Sequence, residues 1–269
     1  VAASRAAVAV ATGSILVFSD ATGRLDPSGL KALVARFAEP TVGAVTGHVV
    51  LETAPGVAPG EGQQVYWSYN NELLVAEGAL ASVTSLAGAY FAVRSDVYPR
   101  DIGDDLAEDL VVALSVVMAG KRAVVEPDAV CREAAVSSDG QELRRRSRIT
   151  LQNIRGLIWG RRLLNPFRHG RFALFLLSHK LMRVLAPVLL VAIAVTNLAL
   201  WNRHPVFAAG VIGQAAFYAL GGLADPLRLR RFRVVNAIRF FCLSNLGVAI
   251  GIGRFLTGAR AATWEPERG

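Results

Sequence analysis

The chain has 269 residues, a formal net charge of +8 and 53% hydrophobic residues, with a mean hydropathy of +0.40. That apolar content argues against an ordinary soluble enzyme of this length and points to a part that lies in lipid. Two widely separated cysteines, Cys131 and Cys242, exclude a disulfide framework and a CxxC metal site and suit a reducing, cytoplasmic face.

Residues 1–12 are small and apolar with a single arginine, and no basic region precedes a compact apolar run, so they do not form a signal peptide. They read as the last turns of an α/β helix, as if the chain were a piece of a longer protein cut inside a domain. Residues 14–19 (SILVFS) form a predicted strand ending at Asp20, and Asp26-Pro27 then opens a helix with Leu30, Leu33, Val34 and Phe37 on one face, Asp26 serving as its N-cap. Asp20 has no such structural duty, and the C-terminal end of a buried strand is where open α/β sheets place ligands.

Residues 42–51 (VGAVTGHVVL) predict a second strand, with Gly43 and Gly47 permitting close backbone approach. A Gly/Pro-rich loop follows at 53–62, then a helix at 63–80 bearing Tyr66, Trp67, Tyr69, Asn70, Asn71 and Glu72, whose aromatics fit a core as well as a site. Residues 85–94 (SLAGAYFAVR) turn through Gly88 into a short strand. The run Asp104-Asp105-Leu106-Ala107-Glu108-Asp109-Leu110 predicts the acidic first turn of a helix buried along one face and reaching Ala119. One cap and one further carboxylate satisfy a helix start. The stretch holds more acids than that need, so Asp104 and Asp105 are assigned to the turn and helix N-terminus, which leaves Glu108 and Asp109, one turn further in, for another role, with acidic capping of a surface helix as the alternative. A brief strand at 122–126 and a turn at Pro127-Asp128 close the α/β part.

From Leu143 to Arg183 there are ten arginines, one lysine and no acids, interrupted by Ile149, Ile154, Leu157, Ile158, Trp159, Leu163 and Leu164. A basic, Trp-containing amphipathic stretch beside long apolar runs favours an anionic membrane surface over nucleic acid, since no nucleic-acid reading module accompanies it. Apolar runs at 181–201, 206–223 and 235–256 are each candidates to span a bilayer. The positive-inside rule then puts the basic segment and the 225–233 loop in the cytoplasm and the tail outside. The expected domains are 1–137 (α/β), 138–175 (basic interfacial helices), 176–257 (membrane region) and 258–269 (tail).

A strand-end acid, a helix-start acid pair and a basic segment beside lipid suggest a site for a charged diphosphate substrate with Mg²⁺ or Mn²⁺. No HExxH, GxxxxGK[ST] or GxGxxG is present, and His48, His169, His179 and His204 are scattered without ligand spacing, His48 reading as structural.

The runs Ala11 to Thr22, Val42 to Gly47, Ala87 to Arg94 and Ala107-Glu108-Asp109, with Gly120 eleven residues after the aspartate, resemble the membrane-bound family 2 glycosyltransferases, which include cellulose and hyaluronan synthases. Leu164 to Arg168 and Ser178-His179-Lys180 extend the resemblance over nearly the whole chain. It implies an α/β GT-A-like fold, a partial nucleotide-diphospho-sugar transferase domain, followed by an amphipathic interfacial region and about three transmembrane helices. It further implies an inverting hexosyltransferase, integral to the cell membrane with a cytoplasmic catalytic domain, moving a sugar from a UDP- or GDP-linked donor to a glycan or lipid-linked acceptor. Asp20 matches the first aspartate of the metal-binding DxD motif, with Thr22 at its partner position. Glu108 and Asp109 match the end of Thr-Glu-Asp, with Ala107 replacing the threonine and Asp109 as general base. Gly88 and Ala89, with Tyr90 beside them, match the acceptor-receiving loop.

The family's Gln-x-x-Arg-Trp motif fits Gln141 and Arg144, followed by Arg145, or in a shifted register Arg145 and Arg148, the preferred phosphate-facing residue. Neither register has the tryptophan. Asp105 stands beside these as a further candidate. The donor-binding half of the family fold precedes Asp20 and is absent, so these residues alone are expected to be inactive. A noncatalytic membrane subunit with a degenerate transferase domain that binds a glycan or a partner synthase is the alternative, motivated by Thr22, Ala107 and the missing tryptophan.

Overall fold

The computed structural model describes residues 2–52, 61–134 and 138–260. Most of the expected 53–62 loop and of the 258–269 tail lies outside them. Helix α1 (Ala2–Val10) precedes β1 (Ile15–Ser19), a two-residue β2 (Arg24–Leu25), α2 (Gly29–Ala35), β3 (Val42–Glu52), α3 (Glu61–Leu80), β4 (Tyr90–Arg94), α4 (Glu108–Met118) and β5 (Arg122–Ala134). The strands lie in the order β1-β4-β3-β5-β2, with β3 and β5 parallel and the other neighbours antiparallel. This is the mixed α/β sheet that the GT-A resemblance implies.

β3 is central, and its valine-rich sequence is buried on both faces. Val42, Val45 and Val49 pack with Leu33 and Phe37 of the α2 side, while Ala44 joins Phe91, Val93 and the valines of α4. Residues three apart share a face here because the pairing slips at Gly43.

α4 is apolar nearly all round, which the expectation of a single buried face did not foresee. Val111, Val112, Ala113 and Val116 enter the cluster against the sheet, whereas Leu110 and Leu114 pack with Leu157, Leu163, Phe172 and Leu176 on the other side. Valine is a poor helix former, so it is this two-sided burial that holds the helix. Its C-terminus ends on Gly120 at φ +73°, whose N–H reaches Val117 O while that of Lys121 reaches Val116 O.

Several local expectations are corrected. α4 begins at Glu108, so Glu108 and Asp109 are its first two residues and Asp104 and Asp105 lie in the preceding turn. Asp26 caps no helix; α2 starts after Ser28, and the Asp26 carboxylate instead binds Arg132 at 3.2 Å. Leu30 and Val34 are exposed, leaving Leu33 and Phe37 as the buried face of this short helix. β5 runs through the expected Pro127-Asp128 turn to Ala134, because Pro127 falls where Thr46–Val125 pairing slips to His48–Val130 and its missing N–H breaks no ladder bond.

The second part contains α5 (Asp139–Trp159), α6 (Pro166–Phe175), a π-helical stretch (Leu176–Leu181), α7 (Met182–Ala199), α8 (Pro205–Gly222) and α9 (Arg233–Leu256). Three stretches, Pro166–Ala199, Pro205–Gly222 and Arg233–Leu256, are long and apolar enough to cross a membrane. The basic helix α5 does not lie alone. It runs parallel to α9 along its length: Asp139 pairs with Arg239, a Cβ added at Gly247 would meet Arg146 Cβ at 2.8 Å, one at Gly251 would meet Thr150 Cβ at 2.6 Å, and Arg155 donates to Ala259 O at 2.7 Å. Small residues four apart let the two backbones approach this closely.

Leu114 fills the space between α4, α5 and the helices beyond, within 2.4 Å of where a Cβ on Gly160 would sit. Leu114→Ala is expected to destabilise the protein by about 2–5 kcal/mol, read as a lower urea midpoint in unfolding followed by tryptophan fluorescence.

Candidate functional site

An open cleft of about 480 Å³ lies between the β1 and β4 ends, the last residues of β5, and helices α3, α4 and α5. That volume suits a small-molecule ligand. The sheet contributes Asp20 and Glu133, the turn before β4 contributes Gly88 and Ala89, α4 contributes Glu108 and Asp109, and α5 contributes Arg145 and Arg148.

Asp109 sits in the first turn of α4, where the exposed N–H groups of a helix start favour a carboxylate. Ser85 Oγ donates to its Oδ2 at 3.3 Å, and its carbonyl accepts the N–H of Leu86 at 3.2 Å, fastening the helix start to the 81–89 loop. A Cβ added at Gly88 would lie 3.9 Å from Asp109 Cβ, so this glycine keeps the approach to the carboxylate open. Glu108 is oriented differently. Its Oε1 accepts from Tyr98 at 2.7 Å and its Oε2 from Ser4 at 2.9 Å, so both oxygens brace α1 and the 95–103 segment.

Asp20 extends the β1–β4 ladder by one bond, its N–H reaching Ala89 O at 3.1 Å, and its carboxyl leans from the lip of the cleft onto Glu133. Desolvation of the cleft side raises the Asp20 carboxyl from its usual range, with Asp109 adding to the rise while the hydrogen bond to Glu133 and the guanidinium groups of Arg145 and Arg148 oppose it. Burial likewise raises Glu133, Asp20 adding to the shift. On the facing helix, burial and then Arg145 lower the Arg148 pKa, while Asp109 and Asp20 hold it up. Arg145 is itself placed over the Trp67 ring, 5.9 Å from its centroid. Among the described residues no group of three or more His, Cys, Asp or Glu is arranged to hold a metal ion. The neighbouring Asp20 and Glu133 carboxyl groups in one cleft nevertheless fit a hard divalent cation that completes its shell with phosphate and water oxygens.

The structure brings Asp20, Gly88, Ala89, Asp109, Arg145 and Arg148 together as expected, and of the two registers considered for the basic motif it is the one with Arg145 and Arg148 that faces the cleft. Other predicted residues lie elsewhere. Thr22 is exposed outside the cleft, because the turn closed by Gly23 N–H on Asp20 O carries it away. Tyr90 is fully buried against Gly47 rather than on the acceptor side. Asp105 pairs with Arg155 at 2.9 Å, and Gln141 and Arg144 stand on α5 outside the cleft lining. Sequence reasoning missed Glu133, whose signal was an acid two residues beyond buried Cys131 on one strand face. It also missed the pair made by His179 and Glu77. Glu77, only 1% exposed, accepts from Thr84 N–H at 2.7 Å and from His179 Nδ1, tying α3, the 81–89 loop and the π-helical stretch together. His48 is structural, bound by Asn71 at 3.2 Å.

The model of glycosyl transferase family group 2 matches residues 15–249. The chain belongs to this family. Among solved structures, a group 2 chain of this shape is similar to the mannosyltransferase PcManGT from Pyrobaculum calidifontis, solved in complex with GDP-Man and Mn²⁺, with a TM-score of 0.61 and 24% identity. The match covers 93% of this chain and 64% of that one, so the present chain spans about 64% of that relative's length, and at this identity the likeness is one of fold. S. aureus TarS matches at 17% identity over 94% of this chain and 70% of that chain, with a TM-score of 0.33 that carries no argument. No curated protein matches.

Burial pushes the Cys131 thiol from 9.0 up to about 11, with Glu133 and Asp20 adding to the shift. A higher pKa leaves less thiolate at pH 8, so iodoacetamide is expected to modify Cys131 roughly 100-fold more slowly in the folded protein than in urea, followed by mass spectrometry of its peptide. Equal rates in the two states would contradict the buried position.

Proposed function

We propose that this chain carries the acceptor side of the site of an inverting, membrane-bound glycosyltransferase that moves a hexose from a UDP- or GDP-linked donor to a glycan or lipid-linked acceptor. The observation that carries the reading is one cleft in which Asp109 and the guanidinium groups of Arg145 and Arg148 face each other within the family group 2 fold. The acceptor hydroxyl approaches past Gly88 and Ala89. As its oxygen bonds to the anomeric carbon, its proton passes to the Asp109 carboxylate and the bond from that carbon to the diphosphate breaks on the opposite face. Arg148, with Arg145 beside it, takes up the charge of the departing diphosphate. The solved mannosyltransferase with GDP-Man and Mn²⁺ supports a nucleotide-sugar donor and use of a divalent cation. Asp20 would hold that cation, Mg²⁺ or Mn²⁺, which would neutralise phosphate oxygens that the cleft carboxylates otherwise repel. Glu108, committed to Tyr98 and Ser4, holds the first turn of α4 in place and does not touch substrate.

The membrane reading rests on the three apolar helices and on exposed side chains such as Phe167, 98% exposed beside Arg168 and Arg171. α7 and α8 present apolar side chains outward and form the crossing hairpin. α9 differs, since α5 covers one side of it with arginines opposite its midpoint, and a charge at the bilayer centre costs about 2.5–3.5 kcal/mol or more. We read α9 as lying with α5 at the cytoplasmic surface, against anionic lipid, which returns the tail to the cleft side.

In the full-length protein, Asp109→Asn is expected to lower sugar transfer about 10²–10⁴-fold while donor affinity stays within a few-fold. Unchanged release of nucleotide would remove Asp109 as the base and favour a noncatalytic subunit. Epitope tags placed in the 225–233 loop and after Gly269 are expected to be reached by antibody from the same side of sealed vesicles. Labelling from opposite sides would make α9 a third crossing helix.

A further inference from the structure

We infer that Glu133, rather than Thr22, supplies the second protein ligand to the divalent cation at Asp20. This deepens the transferase reading and rests on it for the presence of a cation, but what carries it is a juxtaposition in the sheet.

Residues two apart on a strand share a face. Cys131 of β5 lies beneath the turn before β4, its Sγ 3.9 Å from Ala89 O, and the N–H of Asp20 binds that same carbonyl at 3.1 Å. Two residues on, Glu133 therefore rises beside Asp20, and both residues line the same cleft. Between them on the opposite strand face, Arg132 is fastened to Asp26 at 3.2 Å and Glu52 at 3.9 Å, which fixes the end of β5. The turn that brings Asp20 to this position carries Thr22 out to solvent.

The chemistry follows from the spacing. Adjacent ligand oxygens around an octahedral Mg²⁺ or Mn²⁺ lie about 3 Å apart, so protein ligands to one ion must stand side by side. Asp20 and Glu133 are two carboxylates so placed on one wall of the cleft. Two carboxylates and two phosphate oxygens with water match the hard, oxygen-rich shell that these ions require. A threonine hydroxyl in place of the motif's second acid then loses nothing, because the carboxylate comes from a strand more than 100 residues later.

The test is Mn²⁺ binding to the purified full-length protein in detergent, with and without GDP, read from the electron paramagnetic resonance signal of free Mn²⁺. Glu133→Gln and Asp20→Asn are each expected to weaken binding about tenfold or more. Thr22→Ala is expected to leave it within about twofold, and Glu133→Asp, which keeps the carboxylate, to restore most of it. Wild-type affinity in Glu133→Gln, an equal loss in Thr22→Ala, or no saturable Mn²⁺ binding by the wild type would each overturn the assignment. The readout involves no sugar transfer, so a protein that binds Mn²⁺ through Glu133 yet transfers nothing would keep this inference and sink the catalytic one.

Discussion

The arrangement depends on a charge balance across one cleft: Asp20, Glu133 and Asp109 on the sheet and α4 side, Arg145 and Arg148 on α5. Each set is unfavourable alone. Three acids in partial burial repel one another, and two guanidiniums on one helical turn do the same. Facing each other, they offset that cost and leave a polar slot between the sheet and α5. The same balance explains why α5 carries so many arginines without being a nucleic-acid element. Its cleft-facing members answer acids, and others are spoken for by Glu142, Asp105 and the Phe240 ring.

Holding those charges in register falls to apolar packing. α4 is clamped between the sheet valines and the leucines of α5 and the helices beyond, so the carboxylate at its start moves only if two clusters move with it. α5 in turn is held on its far side by the glycines of α9. Sheet, α4, α5 and α9 thus form successive layers, and the cleft is cut across the first three. The layer farthest from the cleft fixes the arginines that line it.

Much of this was legible in the residues. The valine runs, the acid at the end of β1, the Gly88 turn and the apolar helices follow from local periodicity, and the motif order pointed to Asp20, Asp109 and Arg148. What was not legible depends on pairings distant in sequence. Nothing near Asp26 announces Arg132, and nothing near Thr22 announces that a turn expels it while Glu133 arrives from another strand. Tyr90 looked like part of the acceptor loop because it follows Gly88 and Ala89, yet strand alternation turns it under the sheet. The start of α4 was misplaced by one turn because four acids within six positions resemble a helix start wherever the chain begins to coil. The apolar composition of α9 was legible in the sequence, but its packing along α5 was not, because that packing leaves the composition unchanged.

The π-helical stretch Leu176–Leu181 holds one residue more than an α-helix would in the same turn. Residues of a helix are set about 100° apart around its axis, so the loss of one residue there would swing every side chain of α7 by that angle relative to the cleft and carry His179 away from Glu77. The number of residues in this short segment, more than their identity, therefore decides which side of α7 faces outward and which faces α8.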